Sequence, residues 1–73
     1  ALVSSYLAEL SPELTMHDFR TVPGPTHTNL LFDIVTPYRF PMSDEELVKA
    51  VTDRIHQDNP NYHAIIEVDK QMV

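Results

Sequence analysis

Proline residues divide the chain into five short segments, and this division limits the possible folds more than any other sequence feature. The breaks fall at Ser11-Pro12, Pro23-Gly24-Pro25, residues 37–41 and Asn59-Pro60. Proline pushes the preceding residue out of the helical region, and it cannot donate a hydrogen bond inside a sheet. Each break is therefore expected to end a helix or a strand.

The first three segments predict a helix followed by a β-hairpin. Apolar residues in the first segment recur at the spacing of an amphipathic helix, at Leu2, Val3, Tyr6, Leu7 and Leu10. Residues 15–22 and 27–36 have the composition and alternation of strands. Pro23-Gly24-Pro25 between them is the strongest turn signal in the chain, so the two strands are expected to pair.

The last two segments predict a capped helix and a third strand. Ser43 stands at the N-cap and Glu46 at N3, which is the arrangement of a capping box. Asn59-Pro60 ends this helix, and residues 62–69 follow as a strand. The order α-β-β-α-β predicts an α+β fold, in which a small sheet carries both helices on one face.

The chain is short and acidic, with 73 residues, no cysteine and a net charge of −6. These numbers predict a single domain, residues 1–73, whose core is marginal without added stabilisation. Since disulfides and thiolate zinc sites are excluded, self-association or metal binding through histidine and carboxylate remains. The acidic charge attracts cations and argues against a nucleic-acid partner, although a need for solubility would also account for it.

Alternation along the strands separates an apolar face of the sheet from an acidic one. The apolar face carries Leu30, Phe32, Ile34, Ala64, Ile66 and Val68. The other face carries Leu31, Asp33, Val35, His63, Ile65, Glu67 and Asp69. We expect the helices to cover the apolar face. The carboxylates of the other face repel one another unless water, protons or a cation offset their charge, so that face suits either plain solvent exposure or self-association with metal at its edge.

His17 and Asp18 place an imidazole beside a carboxylate, and both are good ligands for zinc. In a regular strand these neighbours point to opposite faces, so they do not make a catalytic pair. The sequence has no nucleophile elbow and no phosphate-binding loop, which argues against an enzyme. His56 suits the dipole at the end of the second helix, whereas the roles of His27 and His63 stay open.

The segment Met16-His17-Asp18-Phe19-Arg20, followed by Gly24-Pro25, resembles the His-Asp-Leu-Arg segment and turn of one transporter family. That family is the cation diffusion facilitators, or cation efflux proteins, and the similarity is to their C-terminal domain. The capped helix ending at Asn59-Pro60 and the strand 64–69 match the rest of that domain in order and spacing. The resemblance covers nearly the whole chain.

The resemblance implies a ferredoxin-like, metallochaperone-like domain on the cytoplasmic side of the cell membrane. No apolar run here approaches the ~20 residues that a membrane helix needs. Because the chain starts at Ala1 and not at Met, and because the family consists of membrane transporters, we expect it to be a fragment of a longer membrane protein. The resemblance also implies a V-shaped homodimer. In this family, divalent metal bound between the two cytoplasmic domains brings them together and favours transport.

The same resemblance places the metal ligands at His17, Asp33, Glu45, Glu67 and Asp69. Three histidines of the family are carboxylates here, and carboxylates are harder ligands than imidazole. Zinc is therefore the first expectation, with manganese or iron(II) as alternatives. Two other hypotheses are a dimerisation scaffold without a working metal site and an ACT-like small-molecule regulatory module. Such modules usually have glycine-rich loops, and this chain has one glycine.

Overall fold

A computed structural model describes residues 2–71, which form two helices and three strands. Their bounds are α1 Leu2–Leu10, β1 Thr15–Pro23, β2 Thr28–Pro37, α2 Asp44–Asp58 and β3 Tyr62–Gln71. This order confirms the predicted α+β fold. The strands differ from the prediction only at their ends: β1 and β2 include the proline that ends each of them, β2 begins one residue later, and β3 continues to Gln71.

The three strands form one sheet in the order β1-β2-β3. β1 and β2 are antiparallel, as expected for a hairpin, whereas β2 and β3 are parallel because α2 carries the chain back to the same end of the sheet. The parallel pair runs without interruption from Thr28↔Tyr62 to Pro37↔Gln71. This register decides which residues of β2 and β3 are neighbours on each face.

The hairpin turn depends on the small size of Gly24. Its backbone N–H donates a hydrogen bond of 2.9 Å to the His27 carbonyl oxygen, which closes the turn. A Cβ atom at position 24 would lie 2.8 Å from that oxygen, closer than real Cβ atoms approach a backbone atom. Glycine therefore permits the close approach that fixes His27 at the entrance to β2.

Both helices cover the same face of the sheet, as predicted. The buried side chains form one cluster, made of Val3, Tyr6, Leu7, Leu14, Leu30, Phe32, Ile34, Leu47, Val51 and Ile55. In β2 the buried residues alternate with half-buried ones, so every second side chain points into this cluster. The opposite face of the sheet carries no helix among the described residues.

A polar network around Arg54 fixes α1 against α2. The guanidinium carbon lies 4.3 Å from the centroid of the Tyr6 ring, which is a cation–π contact. Arg54 also contacts Glu9 at 3.5 Å and Asp58 at 3.1 Å. The Tyr6 hydroxyl donates to Asp58, so one carboxylate joins the tyrosine of α1 to the arginine of α2.

The predicted capping box begins α2. The Ser43 N–H donates to Glu46 Oε1 at 2.9 Å, and the Glu46 N–H donates to Ser43 Oγ at 3.1 Å. The hydrogen bond from the Ser43 backbone, followed by the one from its side chain, lowers the pKa of Glu46 below its ordinary value. The ionised carboxylate is therefore the form that the folded chain prefers.

Stability should depend on pH through Glu46. Because its pKa is lower in the folded chain than in the unfolded one, its contribution is present above the unfolded pKa and is lost as the pH falls through the folded pKa. Urea unfolding of wild type and Glu46→Gln should show the wild type more stable at pH 7, with the difference shrinking as the pH falls below the ordinary glutamate range. A difference of equal size at pH 7 and below that range would contradict this assignment. Ser43→Ala should cost about 1 kcal/mol at neutral pH.

Candidate metal centre on the open sheet face

The open face is the side of the sheet that the helices leave uncovered. On it lie His17, Leu31, Asp33, Val35, His63, Ile65, Glu67 and Asp69. The carboxylates predicted to share one face therefore do so. Their apolar neighbours are only partly covered, and the Ile65 side chain is 45% exposed. The face combines acidic side chains with accessible apolar surface.

Three of the five predicted ligands stand in one row across the sheet. Asp33 pairs with His17 of β1 on one side and with Glu67 of β3 on the other. Neighbouring strands lie about 4.8 Å apart, so the row brings an imidazole and two carboxylates onto adjacent strands. Asp69 lies on the same face two residues further along β3, opposite Val35.

Glu45 lies apart from this row. It is exposed in the first turn of α2, in the helix layer, and it lines a groove between α2 and β3. Glu67 lines the same groove from the edge of the sheet, and the Lys70 ammonium contacts Asp44 at 3.2 Å nearby. The sequence placed Glu45 beside the other ligands by resemblance alone, and the structure puts it at the margin of the site.

A β-bulge interrupts β1 next to His17. The register passes from His17↔Asp33 to Arg20↔Leu31, so two residues of β1 stand opposite Phe32 alone. Phe19 packs on the Phe32 ring at a centroid distance of 5.9 Å. The other residue, Asp18, adopts φ of 56°, a left-handed conformation that aspartate tolerates better than most residues. The regular alternation predicted for His17 and Asp18 was therefore wrong at this point.

The bulge adds a third carboxylate to the open face. Asp18, Asp33 and Glu67 line one shallow depression of about 530 Å³ together with Arg20 and Phe19. Sequence reasoning noted Asp18 as a carboxylate beside His17 but did not place it on this face, and it did not select Arg20. The signal that could have found Asp18 is its tolerance of positive φ, which makes aspartate a common bulge residue. The depression can attract a cation, and the Arg20 guanidinium offsets part of its negative charge.

Histidine and carboxylate are the donor types that divalent cations prefer, so the row suits a metal chemically. Within residues 2–71, however, no three histidine, aspartate or glutamate side chains come close enough to hold one ion. In one chain, therefore, the row supplies at most two neighbouring donors to any one ion. A complete coordination sphere would need water or a second copy of the chain.

The sequence matches no family model, and no curated protein is significantly similar to it. A solved structure described as "Mode of Action of a Putative Zinc Transporter CzrB" has a similar fold, with a TM-score of 0.71. The two chains are 21% identical, and the match covers 96% of this chain and 89% of that one. No helix within residues 2–71 has the length and apolar character to cross a membrane. The likeness establishes the ferredoxin-like α+β fold over almost the whole chain.

Proposed function

We propose that this chain is the cytoplasmic regulatory and dimerisation domain of a transporter that exports divalent metal cations across the cell membrane. It is a binding domain and performs no catalysis. The observation that carries the proposal is the fold shared with CzrB over 96% of the chain. The row formed by His17, Asp33 and Glu67 supports it, because those residue types lie where the resemblance to cation efflux proteins implied a metal site.

The proposed metal is shared between two copies of the domain. Each chain contributes neighbouring donors of the row, and Asp69 lies further along β3. The partner completes the coordination of the ion. Zinc is the first candidate, and the carboxylate-rich donor set also suits manganese or iron(II).

Repulsion between the domains gives the metal its regulatory effect. Each copy carries a net charge of −6, and its carboxylates line the surface that faces the partner. A cation between the two faces removes this repulsion, and the half-buried Leu31 and Val35 can then pack across the interface. Because metal binds the closed pair better than the separated domains, it shifts the population toward the closed pair.

Two conservative variants of the row should bind metal more weakly than the wild-type chain. Asp33→Asn and Glu67→Gln keep the size of the side chain and remove its charge, so each should lower the affinity for Zn²⁺ and Mn²⁺ by at least about tenfold. Isothermal titration of the metal-free chain measures this directly. Glu13→Gln is the matched control, because Glu13 is an exposed carboxylate outside the sheet and should bind as wild type does. Equal affinities for all four proteins would remove the row from the site.

A second candidate function is a dimerisation scaffold without a metal site. It is favoured by the lack of any three-donor group within residues 2–71. The same titration distinguishes the two candidates. A stable dimer that binds neither ion would support the scaffold.

A further inference from the structure

We propose that His27 and His63 form a separate imidazole site for a transition-metal cation of the zinc class, at the hairpin end of the sheet. This inference does not depend on the proposed transporter function. It rests on a pair of histidines whose ring centroids lie 5.7 Å apart with an angle of 62° between the rings. Both side chains are exposed, so an ion can reach them from solvent.

The fold brings these histidines together although 36 positions separate them (63 − 27). His27 directly precedes β2 and His63 is the second residue of β3. The parallel register starts at Thr28↔Tyr62, and the Thr28 N–H donates to the Asn61 carbonyl oxygen at 2.9 Å. Both backbones are thus fixed where the two rings meet.

The spacing of the rings fits a chelate. Two imidazoles on one tetrahedral zinc ion, with Zn–N distances of about 2.0–2.1 Å, have centroids about 5 Å apart. The observed 5.7 Å is within a small side-chain rotation of that value. Two neutral rings in simple edge-to-face contact would show a similar distance, so the surrounding polar groups decide between the two interpretations.

Two polar neighbours favour a ligand. The Thr26 hydroxyl lies 3.1 Å from His27 Nδ1, so its oxygen can accept a hydrogen bond from Nδ1–H in the tautomer that leaves the Nε2 lone pair for a metal. Asn29 pairs with His63 in the parallel register, and its Oδ1 is buried without a hydrogen-bond partner within the described residues. A buried acceptor without a partner is costly, and a water held beside His63 by a bound ion would satisfy it.

This site is distinct from the carboxylate row. His63 lies four residues from Glu67 on β3, which corresponds to about 13 Å along an extended strand. Its donors are imidazoles, which suit zinc, copper and nickel, whereas the carboxylates of the row suit harder ions. Water would fill the coordination positions that the two rings leave open.

The test is a Zn²⁺ titration of the whole chain, with affinity from calorimetry and the histidine ring signals followed by NMR. His27→Gln and His63→Gln should each lower the affinity of this site by at least about tenfold, since loss of even an outer-shell partner costs about 10- to 100-fold. Each variant should also abolish the zinc-dependent shift of the remaining ring. His56→Gln is the matched control, because His56 is exposed on the last turn of α2 and should leave both signals unchanged.

If both variants bind Zn²⁺ with wild-type affinity, or if the ring signals do not shift when Zn²⁺ is added, the inference is overturned. The two rings would then be in contact with each other without binding metal. Asp33→Asn separates this result from the proposed function. The inference predicts that the shifts of His27 and His63 persist in that variant, whatever happens to metal binding at the row. If Asp33→Asn abolished those shifts, the histidines would not form a site of their own.

Discussion

Replacing Ile34 with alanine is expected to remove about 2–5 kcal/mol from the free energy of unfolding. Ile34 lies in the central strand and is 0% exposed, so alanine would leave a cavity where both helices meet the sheet. A domain of this size has a total stability of roughly 4–11 kcal/mol, from about 0.05–0.15 kcal/mol per residue. The substitution should therefore remove a large part of that stability.

Urea unfolding of the metal-free chain, followed by circular dichroism, measures this loss. Ile65→Ala is the matched control, because it makes the same chemical change at a side chain that is 45% exposed. It should cost less than about 1 kcal/mol, as surface substitutions usually do. Equal losses for the two variants would mean that the helices do not cover the face of the sheet that carries Ile34.

Ile65→Asp is expected to weaken self-association of the chain by at least about 30-fold, which corresponds to about 2 kcal/mol for a central interface residue. Ile65 pairs with Leu31 at the centre of the open face. An additional carboxylate there removes apolar contact and adds repulsion between two faces that are already acidic. The fold should be preserved, because the side chain is largely outside the core.

Sedimentation equilibrium gives the dissociation constant of wild type and variant under the same metal conditions. Tyr38→Asp is the matched control, since Tyr38 is 62% exposed in the loop after β2 and lies outside the open face. It should self-associate as wild type does. If Tyr38→Asp dissociated the chain and Ile65→Asp did not, the interface would lie elsewhere on the surface.

The helices and strands could be predicted because local chemistry determines them. The first four elements end at or just before a proline, and the Ser43–Glu46 capping box started α2 where the sequence indicated. The alternation of β2 separated Phe32 and Ile34 from Asp33, and the structure keeps that separation. These features depend on neighbours a few residues apart, which a sequence pattern contains.

The features that were missed depend on strand register. The bulge places Asp18 among the carboxylates only because β1 carries one residue more than the facing part of β2. Contact between His27 and His63 follows from the parallel pairing of β2 with β3, which no local pattern specifies. Glu45 was placed by resemblance, and it lies in the helix layer, where it shares a groove with Glu67 of the row.

If divalent metal joins two copies of this domain, light scattering of the wild-type chain with and without Zn²⁺ will detect it. The metal-free sample, prepared with a chelator that is then removed, gives the reference mass. We expect Zn²⁺ to raise the mass to that of a dimer, or to strengthen an existing dimer, in a saturable way that the chelator reverses. The opposite result would be a folded chain whose mass is the same at every Zn²⁺ concentration and whose dimer, if it forms one, dissociates equally with and without metal. That result would mean that metal does not join the two copies.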